Sequence, residues 1–361
     1  MEFFRIFNFK KFITFVGTPN SMKAKLLSCI FLYLSLISYG QEINDEQLKK
    51  YIDEDNNKIS VVTGLSYLHN TFGLLYQDKI FRLRPNDAFY TEFFLRYRWL
   101  DVSFSFAPKL TRINNDDPEK GKSKYFNFGF TFFLSPKLRQ YIYFSQVKGL
   151  YFQDTKEFMR LIYGENYNEE GYLQFPDAKY RSFKGETSYL WIGNKTDYRS
   201  FNNMTYKPLK DVFVVSTGLF YQYNVLSDLN KTIYQGDTFT ESENDSPSKD
   251  IRIALRSGGG VQKKIKNNWY AIVEVYPELY YSKLIDDDFH EFNIGLYSNA
   301  RIGYDNGKWF FGGGTQLNWI NSSNENFYST TQWLFRVGIG FRFNSPTFVN
   351  RKFDKIDNVL K

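Results

Sequence analysis

The sequence predicts an all-β protein, an antiparallel up-and-down transmembrane β-barrel of about twelve strands, with fourteen as the alternative, and long extracellular loops. Three observations predict it. From Lys58 to Phe343 apolar and polar residues alternate at period two in run after run, without convincing helical periodicity. Many runs are ten to fifteen residues long, against about five or six for an average globular strand and about 9–11 for a tilted membrane strand. Long polar stretches alternate with tight turns, and aromatic residues sit near the strand ends (Trp99, Tyr125, Trp269, Tyr281, Tyr304, Trp309, Trp319, Tyr328), as interfacial girdles require. A secreted soluble β-sandwich would also alternate. Strand length and the number of aromatic apolar faces favour the barrel.

The elements follow in order. Residues 1–40 read as a leader. Its apolar core, Leu26 to Ile37, is too short to span a bilayer as a helix, is preceded by Lys23 and Lys25, and ends at Ser38-Tyr39-Gly40. This is the pattern of a secretory signal peptide with Met22 as its start, cut between Gly40 and Gln41. Removing the leader takes away five basic residues and one acid, so the net charge falls from +7 to +3. A basic patch for nucleic acid is not needed. Residues 41–57 are polar and form a periplasmic lead-in, 58–343 the barrel, and 344–361 a periplasmic tail.

Within the barrel, Lys58 to Leu83 is expected to cross once. Ala88–Trp99, Val102–Leu110, Tyr125–Leu134 and Tyr141–Gln153 follow as strands. Phe183 to Tyr206 is expected to be one crossing with a bulge near Gly193, followed by Val212–Tyr223, Ile251–Lys264 and Trp269–Ser282. Asp305-Asn306-Gly307-Lys308 carries the strongest short hairpin signal, because Asn-Gly tolerates the backbone angles of a tight turn. It joins the strand ending at Tyr304 to the one beginning at Trp309. The last strand puts Trp333, Phe335, Val337, Ile339, Phe341 and Phe343 on one face. With both ends in the periplasm and the short turns on that side, this count gives twelve crossings.

The polar face of each strand points into the lumen. Face by face this places Glu92, Arg96, Arg252, Arg256, Glu274, Glu278, Glu291, Arg301, Arg336 and Arg342 inside. The expected arrangement is a lattice of Arg–Glu pairs, since a ring of one sign would be needed for ion selectivity. The resulting functional expectation is a structural or interaction platform with a charge-paired lumen. A narrow solute channel is the alternative. A membrane hydrolase is a third reading and would have to use His290, on the outer register beside Glu291.

Composition narrows the rest. Two His and one Cys in 361 residues cannot build a His/Cys zinc site or a disulfide framework, and no cofactor or metal is expected. Aromatics at 20% exclude disorder. Gly258-Gly259-Gly260 and Gly312-Gly313-Gly314 lack the Lys-Ser/Thr and the helix of a phosphate loop, and read as close strand approach. Asp286-Asp287-Asp288 reads as a solvated loop tip, without the spaced ligands of a calcium loop.

Five short segments carry a family resemblance: Arg82-Leu83-Arg84-Pro85-Asn86, Gly121-Lys122-Ser123-Lys124-Tyr125-Phe126, Tyr198-Arg199-Ser200-Phe201, Arg301-Ile302-Gly303-Tyr304-Asp305, and Gly338-Ile339-Gly340-Phe341-Arg342-Phe343. In this order they resemble an uncharacterised, domain-of-unknown-function family of outer-membrane β-barrel proteins of Bacteroidota-type Gram-negative bacteria. The resemblance implies the fold and the outer membrane as location, and supplies no catalytic residue. The implied partners are outer-membrane lipid and the barrel-insertion machinery. Phe343 would be the barrel-closing terminal aromatic, and the tail from Asn344 to Lys361 offers contact to a periplasmic protein.

Overall fold

The computed structural model describes residues 54–360 apart from 70, 77–78, 87–88, 109–116, 136, 194–198, 200, 202–204, 206–210, 242–246, 266–267, 286–289 and 322–331. The expected leader, most of the lead-in and the Asp286–Asp288 loop tip therefore lie outside the described residues.

The chain forms β1 (Lys58–His69), β2 (Phe72–Tyr76), β3 (Lys79–Arg84), β4 (Phe89–Tyr97), β5 (Leu100–Phe106), β6 (Lys124–Phe133), β7 (Leu138–Phe152) and β8 (Gln174–Ile192). It continues through β9 (Val212–Ser227), β10 (Lys231–Tyr234), β11 (Asp237–Glu241), β12 (Ser248–Lys264), β13 (Trp269–Leu284), β14 (His290–Asp305), β15 (Trp309–Asn321) and β16 (Gln332–Asn344). Three helices, α1 (Asp117–Lys120), α2 (Thr155–Tyr163) and α3 (Thr347–Leu360), complete it.

Twelve of these strands close into an antiparallel ring in the order β1-β4-β5-β6-β7-β8-β9-β12-β13-β14-β15-β16. The seam is β1 on β16, in register from Lys58↔Asn344 to His69↔Trp333. Twelve is the number that the sequence predicts. The other four strands form two hairpins, β2–β3 and β10–β11, that rise from the long-loop end.

Alternation decides the two faces. Leu65, Leu95, Leu219, Leu255, Val275, Leu279, Phe292, Val337 and Phe341 point outward and are exposed, Leu279 by 61% and Phe292 by 76%. A monomer in water rarely exposes an apolar patch beyond a few hundred Å². A belt of this composition running round a closed ring is built for hydrocarbon, where only a sheet without edges leaves no backbone group unpaired.

At the tight-turn end, Asp305 Oδ1 accepts from the Gly307 amide at 2.8 Å, and Asn306 Oδ1 accepts from Trp309 N at 2.8 Å. Gly307 has φ of +94°, a left-handed conformation that glycine adopts without strain. At the other end, β7 carries a bulge between Lys148 and Leu150. Gly149, at φ +85°, sits there, and a Cβ on it would lie 2.0 Å from the Lys122 carbonyl oxygen. The bulge accompanies a part of the fold that stands beyond the ring. Phe81, Leu83, Leu150, Phe152, Met159, Leu173 and Phe175 form a dry core between β3, the end of β7, α2 and the start of β8. Asp154 fastens it, accepting from Arg82 N at 2.8 Å and Arg82 Nε at 2.9 Å.

Three sequence expectations change. Phe183–Tyr206 does supply one crossing, β8, with an irregularity between Leu190 and Ile192, but that strand begins earlier, at Gln174, and stops at Ile192. The stretch from Asp154 to Arg181, expected to be loop, contains α2 and the first part of β8. Lys58–Leu83 does cross once, through β1, but its remainder folds back as the β2–β3 hairpin. The cause is common to all three. Strands that leave the ring still alternate, so periodicity alone does not mark where the wall ends.

Candidate functional site

The inner face is a polar column, and it is organised in three levels. At the tight-turn end, Arg96 (fully buried) forms an ion pair with Asp55, with Nη2 to Oδ1 at 2.8 Å, while its Nε contacts Ser60 Oγ at 3.3 Å. Asp55 belongs to the lead-in, which therefore enters the barrel mouth. Burial alone would raise the Asp55 pKa, but the charge and hydrogen bonds of Arg96, with Arg342 and Arg199 behind, hold its carboxyl below the usual range. Arg342 meets Asp305 at 2.7 and 2.8 Å and stacks over Phe310 at 4.2 Å.

Three described residues between β8 and β9, Arg199, Phe201 and Thr205, lie at this level. The Thr205 carbonyl accepts from Arg342 Nε at 3.1 Å, Arg342 Nη2 at 3.0 Å and Ser60 Oγ at 3.2 Å. The Phe201 carbonyl accepts from Arg301. Phe201 itself is fully buried among Phe133, Leu190, Val212, Val214, Tyr270 and Ile272, and Arg199 lies over the Phe133 ring at 5.4 Å. Three lumenal side chains thus hold the backbone carbonyls of Phe201 and Thr205.

At mid-height, Glu186 bridges Arg139 and Arg256. Arg256 also reaches Glu278, which accepts from Tyr280 at 2.8 Å, and stacks on Tyr297 at 4.4 Å. Glu92 pairs with Arg336 at 3.0 Å, and Glu274 accepts from Asn299 at 2.5 Å. Toward the loop end, Arg252 meets Asp250 at 3.1 Å, and Asn224 donates to the same carboxylate at 2.8 Å. Glu291 is buried there on the inner face.

Between these levels lies a cavity of about 350 Å³, floored by Phe201 and walled by Glu92, Tyr125, Tyr141, Lys184 and Arg336 among others. All ten residues that the sequence places in the lumen are on the inner face, but they do not form a single Arg–Glu lattice. Arg256 and Arg336 meet glutamates. Arg96, Arg252 and Arg342 meet aspartates, and Arg301 meets a backbone carbonyl. Five partners escaped sequence reasoning, Asp55, Arg139, Glu186, Asp250 and Asp305, and so did Lys184, which also faces the lumen. Lys184 and Glu186 alternate with Phe183, Gly185 and Thr187, and this signal was there to be read.

His290 stands exposed at the start of β14, its ring 6.3 Å from that of Tyr281, while Glu291 points the other way. Among the described residues, no three His, Cys, Asp or Glu gather as metal ligands.

A family model described as Domain of unknown function (DUF4421) matches residues 44–343. The chain belongs to this family. The DUF4421 match runs from the lead-in that carries Asp55 to Phe343, so both the wall and its inner column fall within it. No curated protein matches the sequence. Among solved structures, the translocator domain of the autotransporter NalP from Neisseria meningitidis aligns at 11% identity and TM-score 0.38. That alignment covers 83% of this chain and 94% of that one. LpxR from Salmonella typhimurium aligns at 9% and 0.34, covering 78% and 99%. The toluene transporter TodX of P. putida aligns at 8% and 0.29, covering 80% and 91%.

Proposed function

We propose that this DUF4421 chain is an outer-membrane β-barrel that serves as a structural and interaction platform, with its lumen closed on the periplasmic side. The apolar belt supports the membrane, and the closed twelve-strand ring, with the secretory leader expected of residues 1–40, supports the outer membrane as destination. One observation carries the closed lumen. Thr205 is held by Ser60 and Arg342, and Phe201 by Arg301 and an apolar cluster below the cavity, so a solute leaving the central cavity toward the periplasm meets packed protein. The mixed charge of the column agrees with a filling role, because most of its ions pair with one another and they line no single-sign path.

Planar-bilayer recording of the folded, purified barrel tests this reading. Silence across a preparation that shows heat-modifiable migration is the expected outcome. A steady conductance would establish the narrow solute channel in its place. Recovery in the outer-membrane fraction is the matching expectation for location, and recovery in the soluble fraction would end it.

A further inference from the structure

We propose that the cavity is a binding site for a small hydroxyl-rich anion, a sugar acid or a sugar phosphate, whose charged group is received by Lys184. This goes beyond the platform reading and does not depend on whether the barrel conducts.

The argument starts from charge. The carboxylates along the cavity wall are engaged, Glu92 with Arg336, Glu186 with Arg139 and Arg256, and Glu274 with Asn299. The arginines they face are therefore committed as well. Lys184 differs. It sits on the inner face of β8, between Tyr143 of β7 and Gln222 of β9, and lines the cavity. Among the described residues no carboxylate lies within 4.0 Å of its ammonium. The charges that act on it are Arg252, of its own sign, and Asp250, which is already shared between Arg252 and Asn224. A cation inside a wall, without a counter-charge, is an incomplete pair, and an anion entering the cavity completes it.

The rest of the wall says what kind of anion. Besides Lys184 the cavity wall carries the phenols of Tyr125, Tyr141 and Tyr143 and the amides of Asn299, Gln316 and Gln332. Such a surface loses hydrogen bonds to water unless the ligand supplies hydroxyls to replace them. Room is made on the seam side by inward glycines, Gly64, Gly314 and Gly338. At about 350 Å³ the volume lies at the low end of the roughly 300–1,000 Å³ of small-molecule sites. One sugar ring with an anionic substituent is of that scale.

The experiment is equilibrium dialysis of the folded, detergent-solubilised barrel against glucuronate, glucose 6-phosphate and uncharged glucose. The parent protein is expected to bind one or both anions saturably, and at least about tenfold more tightly than glucose, the ratio expected of one charge-assisted contact. Binding of both anions assigns the site to anionic oxygen in general; binding of only one identifies its class as carboxylate or phosphate. Lys184→Gln should abolish the preference over glucose, and Lys184→Arg should retain it, each variant first shown folded by heat-modifiable migration. Absence of saturable binding of either anion to the parent barrel overturns the proposal. An unchanged preference in Lys184→Gln overturns it too.

Discussion

Arg96 on β4 and Asp55 in the lead-in form an ion pair in which the arginine side chain is fully buried and the aspartate nearly so. The residues are 41 positions apart, and the contact ties the N-terminal segment into the barrel mouth.

Replacing Asp55 with Leu leaves the guanidinium buried without its counter-ion, which costs about 3–5 kcal/mol. Urea unfolding in lipid vesicles should show that loss. The pair also predicts a pH dependence. Because the folded carboxyl titrates below the ordinary value of 3.8, its stabilisation is complete above that value and is lost as pH falls toward the folded pKa. The parent barrel should therefore lose stability below about pH 4 more steeply than Asp55→Leu. Equal slopes would remove Asp55 as a cause.

Phe201→Asp places a carboxylate in the apolar cluster with Phe133, Leu190 and Ile272. Phe201 should leave that cluster, and single-channel steps should appear in a bilayer where the parent protein is silent. A variant that folds and stays silent would mean that Phe201 is not what closes the lumen.

Glu186 serves two arginines. Glu186→Leu alone should destabilise by about 3–5 kcal/mol, while Arg139→Leu with Glu186→Leu should cost less than the single change, because one uncompensated charge is gone. Additive losses, measured by the same unfolding assay, would argue that the bridge is not coupled.

The outer belt predicts an asymmetry. Leu255 is 51% exposed on β12, and Leu255→Arg should cost about 2–4 kcal/mol in a bilayer. Asp237→Arg, exposed on the β10–β11 hairpin beyond the ring, should change stability by no more than about 0.5 kcal/mol. If both changes were equally mild, β12 would not face lipid.

The C-terminal helix offers a simpler test. Asp354 and Asp357 of α3 pair with Arg98, Trp99 donates to Asp357 at 2.7 Å, and Phe353 packs edge-on against Tyr97 with ring centroids 4.6 Å apart. Ending the chain at Pro346 should leave a heat-modifiable barrel and raise hydrogen exchange selectively around residues 97–99. A truncated chain that cannot fold would make α3 part of the barrel's own stability.

What could be read in the sequence follows from what period two encodes. Alternation reports which side of a wall a residue faces, so Glu92, Arg256 and Arg336 were assigned to the lumen without knowledge of their partners. It does not report pairing across the lumen. Arg342 and Asp305 come from different strands, and Asp305 read as a turn residue. The anchorage of Phe201 and Thr205 was illegible for a deeper reason. Its anchors are the carbonyls of Phe201 and Thr205, backbone groups that every residue has, so no side-chain pattern announces them. Likewise α2, nine residues long, falls in a polar stretch that alternation leaves blank.

The grip on Thr205 bears on the order of assembly. Ser60 lies on the first strand of the ring and Arg342 on the last, and these two strands meet only when the circle is complete. Thr205 can be held from both sides only then, so the bond set acts as an internal latch on closure. A chain in which Thr205 has not yet reached Ser60 and Arg342 must zip its ends together unlatched, or wait with its seam open.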